Sequence, residues 1–267
     1  MVNCSLDISV VLLTYNHERY VKESLNSILN QKFNGNWEII IADDCSNDCT
    51  FEIIQLIKNK HKSFSINAYS NELNLGLSKN YEKAILNAKG KYIAYLEGDD
   101  YWIDVSKLQK QFDFLENNSK FILAFHDFVL VDANGLIISD KNLNNIAIKK
   151  DRSKKDMITG CLIHQNSMMF RNVITKFPLG FFKAKNHDTF LIAYLSRWGE
   201  AGYVKCNPLH YRIRENTLWS SLSGKEKHFN GLITYLWIFS ISSPQTYFAL
   251  VRKVLSKIKS IILLKLT

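Results

Sequence analysis

The sequence predicts an α/β fold: a mostly parallel sheet with flanking helices, followed by a helical C-terminal extension. Three observations lead there. Strands alternate with helices over the first hundred residues, the strand segments read as nearly continuous apolar runs, and acidic residues gather where strands give way to loops. Strand-helix-strand units imply right-handed crossovers, so the strand C-termini open on one edge, where open α/β sheets take their ligands.

The elements follow in order. Ile8 to Leu13 is an apolar run suited to a central strand, and Thr14-Tyr15-Asn16 turns the chain. From His17 to Gln31, Val21, Leu25, Ile28 and Leu29 recur at helical spacing. Glu38 to Ala42 is a second strand; it ends at Asp43-Asp44 and leads through Ser46-Asn47-Asp48, rich in capping side chains, into a helix from Phe51 to Lys58. Ser65 to Tyr69 gives strand three. A helix near Ser78 to Ala88, ended by Gly90, precedes strand four at Tyr92 to Leu96. A helix from Ser106 to Asn117, an apolar strand from Phe121 to Val131, and a hairpin with a basic loop from Asp132 to Asp156 come next. A strand near Leu162 to Phe170, a helix from Asp188 to Arg197, and short strands at Tyr203 and His210 to Ile213 complete a domain of residues 1–223, and residues 224–267 are helical.

Composition bounds the function. Hydrophobic residues make up 46% and aromatics 12%, which supports a sizeable core, and 3 Pro with 11 Gly leave little room for flexible linkers. The 5 cysteines (Cys4, Cys45, Cys49, Cys161 and Cys206) form neither a CxxC pair nor a zinc-finger spacing, so reduced thiols in a cytoplasmic protein are expected. No signal-peptide pattern opens the chain, and the apolar segments from Leu232 to Ile241 and Ser260 to Leu264 fall short of the ~20 residues of a membrane helix. A net charge of +9 raises the question of nucleic acid, yet acidic residues concentrate at one edge, and the basic excess lies at Lys149 to Lys155 and from Arg252 onward. No nucleic-acid partner is expected; an anionic membrane surface fits that distribution at least as well. From Val251 to Ile262 the apolar positions share one helical face with basic residues around it, the pattern of an interfacial helix, on the inner face of the cytoplasmic membrane, or of a helix docked on protein.

The run Tyr92-Ile93-Ala94-Tyr95-Leu96-Glu97-Gly98-Asp99-Asp100 carries the chemistry. A hard cation, Mg²⁺ or Mn²⁺, binds through one or two carboxylates and completes its shell with water and substrate phosphates, so a nucleoside diphosphate is the expected companion. Glu97 and Asp99 share one side of an extended segment; Asp100 joins them only if the backbone turns, which Gly98 permits. The alternative is a solvated acidic turn. Neither GxGxxG nor GxxxxGK[ST] is present, which speaks against dinucleotide and P-loop chemistry. Asp44 can accept the N–H of a base, and Tyr15 can lie against its ring.

The segments LLTYNHERYVKESLNSILNQ, EIIIADDCSNDCT and NLGLSKNYEKAILNAKGKYIAYLEGDDYW together resemble the nucleotide-sugar half of family 2 glycosyltransferases of the GT-A fold. HQNSMMFRN, HDTFLIAYLSRWG and LHYRIREN are similar to the acceptor half, so the resemblance spans about residues 6 to 216. It implies a nucleotide-binding half at 1–103 and an acceptor half at 104–223. Thr14, Tyr15, Asn16 and Asp44 then hold the base, with Asp43 alongside, and Asn74, Gly76 and Asn80 lie near ribose and diphosphate. Glu97, Asp99 and Asp100 stand on the DxD-type motif, with Glu97 departing from the usual aspartate; Asp100 is expected as metal ligand and Asp99 as a nucleotide or metal contact. Asp188 matches the catalytic base of an inverting displacement, although an aspartate at a helix start also suits an N-cap. Trp102, His164, His187 and Arg212 are acceptor-side candidates, each with a plainer reading as core or local hydrogen-bond residue. The substrates the resemblance implies are a nucleotide-sugar donor, UDP-linked, and a glycan or lipid-linked acceptor of surface polysaccharide, lipopolysaccharide or capsule synthesis. Rival readings are a degenerate glycan-binding scaffold and a sugar-nucleotidyltransferase.

Overall fold

The computed structural model describes residues 6–146, 148–214 and 222–263. Cys4 and the Glu215-Asn216 end of the last motif lie outside them. Its first half follows the expected alternation: β1 (Ile8–Thr14), α1 (Val21–Leu29), β2 (Trp37–Asp43), α2 (Thr50–Lys60), β3 (Ile66–Ser70), α3 (Leu77–Leu86) and β4 (Tyr92–Glu97). β5 (Tyr101–Trp102), α4 (Lys107–Asn117), β6 (Phe121–Phe125), β7 (Phe128–Val131), β8 (Ile137–Ser139) and α5 (Lys154–Thr159) follow. The chain then forms β9 (Met169–Arg171), α6 (Leu179–Lys183), α7 (His187–Leu195), β10 (Glu200–Tyr203), β11 (Leu209–Arg212), α8 (Gly224–Phe239) and α9 (Pro244–Leu263).

The central sheet has the order β10-β6-β9-β4-β1-β2-β3, and only β9 runs against the rest. Every residue of β1 is buried because both faces are covered. Val11 and Leu13 face a core built with α3 and α5 to α9, whereas Ile8, Val10 and Leu12 face one built with α1, α2 and α4. That double coverage is why the strands lack polar alternation. Ser9 is the exception inside β1; its hydroxyl donates to Glu38 at 2.7 Å and accepts from Gly90 N–H at 2.8 Å, tying β1, β2 and the entry to β4 together. Gly90 does not end α3, whose C-cap is Asn87. It crosses the β1 backbone so closely that a Cβ there would lie 2.3 Å from Ser9 N. Gly90→Ala is therefore expected to cost about 3 kcal/mol by overpacking, read as a lower urea midpoint with an unchanged slope.

The single strand expected from Phe121 to Val131 is two strands in different sheets. At His126-Asp127 the chain leaves β10 and takes up β11: Val204 N–H donates to Phe125 O at 2.8 Å and Leu209 N–H to Asp127 O at 2.9 Å. The second sheet, β5-β11-β7-β8, packs its Trp102, Phe128 and Leu209 into the α1/α2/α4 core. The strand expected near Leu162 to Phe170 is mostly a turn. His164 Nδ1 accepts from Asn166 N–H and Ser167 Oγ donates to His164 O at 2.7 Å, winding residues 165–167 into a 3₁₀ turn before the short β9. Side chains that bond their own backbone compete with sheet pairing in this way. The four described cysteines are free thiols. None of the described helices is long and apolar enough to cross a membrane.

Candidate active site

Parallel pairing sets Thr14 beside Asp43 and Leu13 beside Glu97, so the ends of β1, β2 and β4 form one edge. Past Glu97 the chain hugs β1. Gly98 N–H donates to Leu13 O at 2.8 Å, and a Cβ on Gly98 would sit 2.7 Å from both His17 Nδ1 and Thr14 Cγ2. The backbone turns here, with Asp100 N–H donating to Glu97 O at 3.1 Å. Asp100 thereby folds back toward Glu97 and Asp99, and a ligand atom from each of the three carboxylates lies within 4.8 Å of the others.

Each carboxylate is held. Glu97 accepts from Tyr95 OH at 3.0 Å and Gln165 Nε2 at 2.9 Å. Asp100 accepts from Arg212 N–H at 2.8 Å and from the Asn166 amide. Asp99 accepts from Arg214 at 2.7 Å, and the same guanidinium donates to His17 Nε2 at 3.1 Å. Burial pushes Glu97 up to about 7, with the Asp99 charge adding to it. Burial and then Asp99 and Glu97 push Asp100 well above the usual carboxylate range. Arg214 answers Asp99 alone, so three carboxyls packed this closely still carry repulsion that a further countercharge would relieve. A divalent cation would supply one. The donor set is all oxygen, and the buried Asn166 Oδ1 has no hydrogen-bond partner among the described residues. These residues fit a hard divalent cation.

Among the residues expected at the nucleotide, Asp44 fixes the loop after β3. It accepts from Asn71 Nδ2, Leu75 N–H and Gly76 N–H at 2.9, 2.8 and 2.9 Å. Three donors on a carboxylate with about four lone-pair sites leave one for a base. Gly76 starts α3 at φ +79, a backbone angle glycine adopts readily, and Asn74 Oδ1 accepts the Gly76 N–H at 3.0 Å. Tyr15 presents its ring to solvent at 41% exposure, and Asn16 Oδ1 accepts from Asn47 N–H at 2.9 Å. Two expectations are corrected. Asn80 is buried and bonds Ala42 O and Asn71, so it braces the loop and does not face ribose. The Thr14 hydroxyl is turned to Asp43 at 2.8 Å, and Asp43 itself is buried among the hydroxyls of Thr14, Ser46 and Ser70.

Asp188 lies in the first turn of α7, and the N-cap is Asn186. Oδ1 of Asp188 takes the Thr189 N–H at 2.7 Å. The residue is half-buried by surface, yet enclosed enough that its carboxyl is raised, and its charge reaches Glu97 and Tyr211. It therefore lies near the acidic turn.

Among the acceptor-side candidates, Trp102 is a core residue, 4% exposed, with Nε1 donating to Asn166 O at 2.7 Å. It does not offer its ring to a sugar. Arg212 is also buried; its guanidinium is used up on Asp99 O, Asp132 O, Ala133 O and Glu23, beneath the acidic turn and away from an acceptor. His164 packs on Tyr211 with centroids 4.3 Å apart and is pushed down to about 4 by burial. His187 contacts Ser78 Oγ at 3.2 Å and Phe181 O at 3.1 Å. Sequence reasoning missed Gln165, Asn166 and His17 as supports of the carboxylates. HQNS was visible as a motif, but only its histidine was singled out.

Below the turn, Lys107 is fully buried, with Nζ 3.8 Å over the Trp102 ring and donating to Met168 O at 3.4 Å. Burial pushes its ammonium down to about 7. The unfolded chain keeps that proton to higher pH than the fold does, so the residue makes stability rise with pH above about 7 and costs its full penalty below. Lys107→Met is expected to raise the melting temperature at pH about 6 and to flatten its rise toward pH about 9, measured as the variant-minus-wild-type difference across a thermal-denaturation series.

A glycosyl transferase family 2 model matches residues 9–177. The chain belongs to that family. It is 27% identical over 255 residues, 87% of this chain and 96% of the relative, to the Escherichia coli UDP-Glc:alpha-D-GlcNAc-diphosphoundecaprenol beta-1,3-glucosyltransferase WfaP. Against mycobacterial relatives it is 30% identical over 164 residues, and the match spans 46% of their length. Among solved structures, Staphylococcus aureus TarS residues 1–349 in complex with UDP-GlcNAc aligns with TM-score 0.67 at 17% identity, covering 94% of this chain and 72% of that one. The mannosyltransferase PcManGT from Pyrobaculum calidifontis, in complex with GDP-Man and Mn²⁺, aligns with TM-score 0.72 at 13% identity, covering 97% and 74%. The fold is GT-A.

Proposed function

We propose that the chain transfers a sugar from a nucleoside-diphosphate donor, a UDP-sugar, to a hydroxyl of a lipid-linked glycan in surface-polysaccharide synthesis, with inversion at the anomeric carbon. The observation that carries this reading is the convergence of Glu97, Asp99 and Asp100 on one edge, with the Asp188 carboxylate close enough for its charge to act on Glu97. The UDP preference and the lipid-linked acceptor are supported by the activity in the name of WfaP and by the UDP-GlcNAc in the TarS structure.

In this mechanism Asp44 and Tyr15 hold the base, and the Asn74 to Gly76 segment borders ribose and diphosphate. Asp100, with Asp99, would hold Mg²⁺ or Mn²⁺, a choice supported by the Mn²⁺ of PcManGT, and the ion would offset charge on the departing diphosphate. Asp188 accepts the proton of the acceptor hydroxyl while that oxygen bonds to the anomeric carbon. The bond from that carbon to the phosphate oxygen breaks, and its electron pair leaves with the nucleoside diphosphate. Arg214, already on Asp99, stands where a guanidinium can share that charge. The test is proton NMR of the product formed from an α-linked UDP-sugar and a polyprenyl-diphosphate-sugar acceptor. A β-linkage is expected, and an α-linked product would exclude the single displacement.

A further inference from the structure

The last helix carries two apolar faces, and the fold uses one. Helix α9 spans 20 residues, about 30 Å. On its docked side Leu250 is fully buried, Val254 packs on the core, Lys253 lies over the Tyr235 ring, and Lys257 lays its stem across Gly231. On the other side Phe248, Val251, Leu255, Ile258 and Ile262 are 75, 44, 58, 37 and 54% exposed. Their spacing of three and four residues aligns them in one stripe along the helix. Arg252 and Lys259, both exposed, border that stripe at positions 20 to 40° from Phe248 on a wheel of about 100° per residue. From Ser240 to Leu263 the chain has 4 basic residues and no acidic one.

We infer that this stripe lies in the plane of an anionic lipid bilayer. Charge decides the occupant. Two copies of the face brought together would set cations against cations, with no carboxylate on α9 to answer them, whereas a bilayer with anionic headgroups supplies the apolar medium and the countercharge together. Helix α8, on which α9 packs, uses Thr234 Oγ1 to accept from Lys185 N–H at 3.2 Å and Asn186 N–H at 3.0 Å, holding the loop that leads to Asp188. The inference itself does not depend on the proposed activity.

The test is co-sedimentation of the full chain with phosphatidylcholine vesicles, with and without about 30% phosphatidylglycerol, at low and at about 0.5 M salt. Binding to the anionic vesicles that weakens with salt is expected. Arg252→Gln with Lys259→Gln should lower the partition coefficient about 25-fold, at about fivefold per basic residue. Leu255→Asp with Ile258→Asp should abolish pelleting while circular dichroism and urea midpoint stay those of the wild type; if that pair unfolds the chain, Phe248→Gln, at the most exposed stripe position, should weaken pelleting on its own. Three results would overturn the inference. They are no pelleting with anionic vesicles at low salt, equal pelleting by the folded stripe variants, and a dimer by sedimentation equilibrium that the stripe variants dissolve.

Discussion

Asp188→Asn is expected to lower sugar transfer by about three orders of magnitude while UDP affinity stays within about twofold of wild type. The asymmetry follows from position. Asp188 sits at the start of α7 near the acidic turn, and its hydrogen bonds among the described residues are to Thr189, so it holds no part of the Asp44 loop. An asparagine keeps the size and can still accept the Thr189 N–H, but it cannot take a proton. Enclosure raises the carboxyl, which strengthens it as a base provided it remains ionised at the working pH. Turnover should therefore fall as the pH drops through its pKa, and the variant's residual activity should lack that limb. The measurement is initial rate against pH for wild type and variant, with UDP affinity by calorimetry alongside. A variant that loses affinity or melts early would assign Asp188 to the architecture of α7.

Asp100→Asn has the second large effect, at least about 100-fold on Mn²⁺ affinity in the presence of UDP. Asp100 is the most buried member of the cluster, its two oxygens aimed by Arg212 N–H and the Asn166 amide, so its carboxylate is oriented before any ligand arrives. The substitution removes a negative donor and leaves the turn intact. Free Mn²⁺ followed by paramagnetic resonance during titration reads the loss directly. The fold should not suffer: Asp100 is a buried carboxyl raised by burial and by Asp99 and Glu97, so a neutral amide there relieves repulsion, and the melting temperature of the metal-free variant should equal or exceed that of wild type.

Sequence and structure agree where one physical rule acts alone. The apolar run of Ile8 to Leu13 admits little but a central strand, and parallel crossovers then force Asp44 and Asp99-Asp100 onto one edge. The break at His126-Asp127 was hidden because the residues on either side are equally apolar; what separates them is a change of partner from β10 to β11, a long-range fact without a local signal. Gly90 read as a helix stop because glycine serves that role often, whereas here it makes room for the Ser9 backbone. Within the site the carboxylates themselves were legible. Their supports were not, since Gln165 and Asn166 reach Glu97 and Asp100 across 68 and 66 residues of chain. Arg212 and Trp102 illustrate the converse: residue types suited to ligands that the fold spends on its own interior, on the underside of the acidic turn.

The most direct test of a metal-assisted UDP-sugar site is calorimetric titration of UDP into the wild-type chain with and without Mn²⁺, with GDP, CDP and dTDP as comparisons. One-to-one UDP binding that requires Mn²⁺ and exceeds that of the other nucleotides is the predicted result. Absence of binding by every nucleotide in the presence of Mn²⁺ would contradict the account and leave a GT-A fold without a donor site.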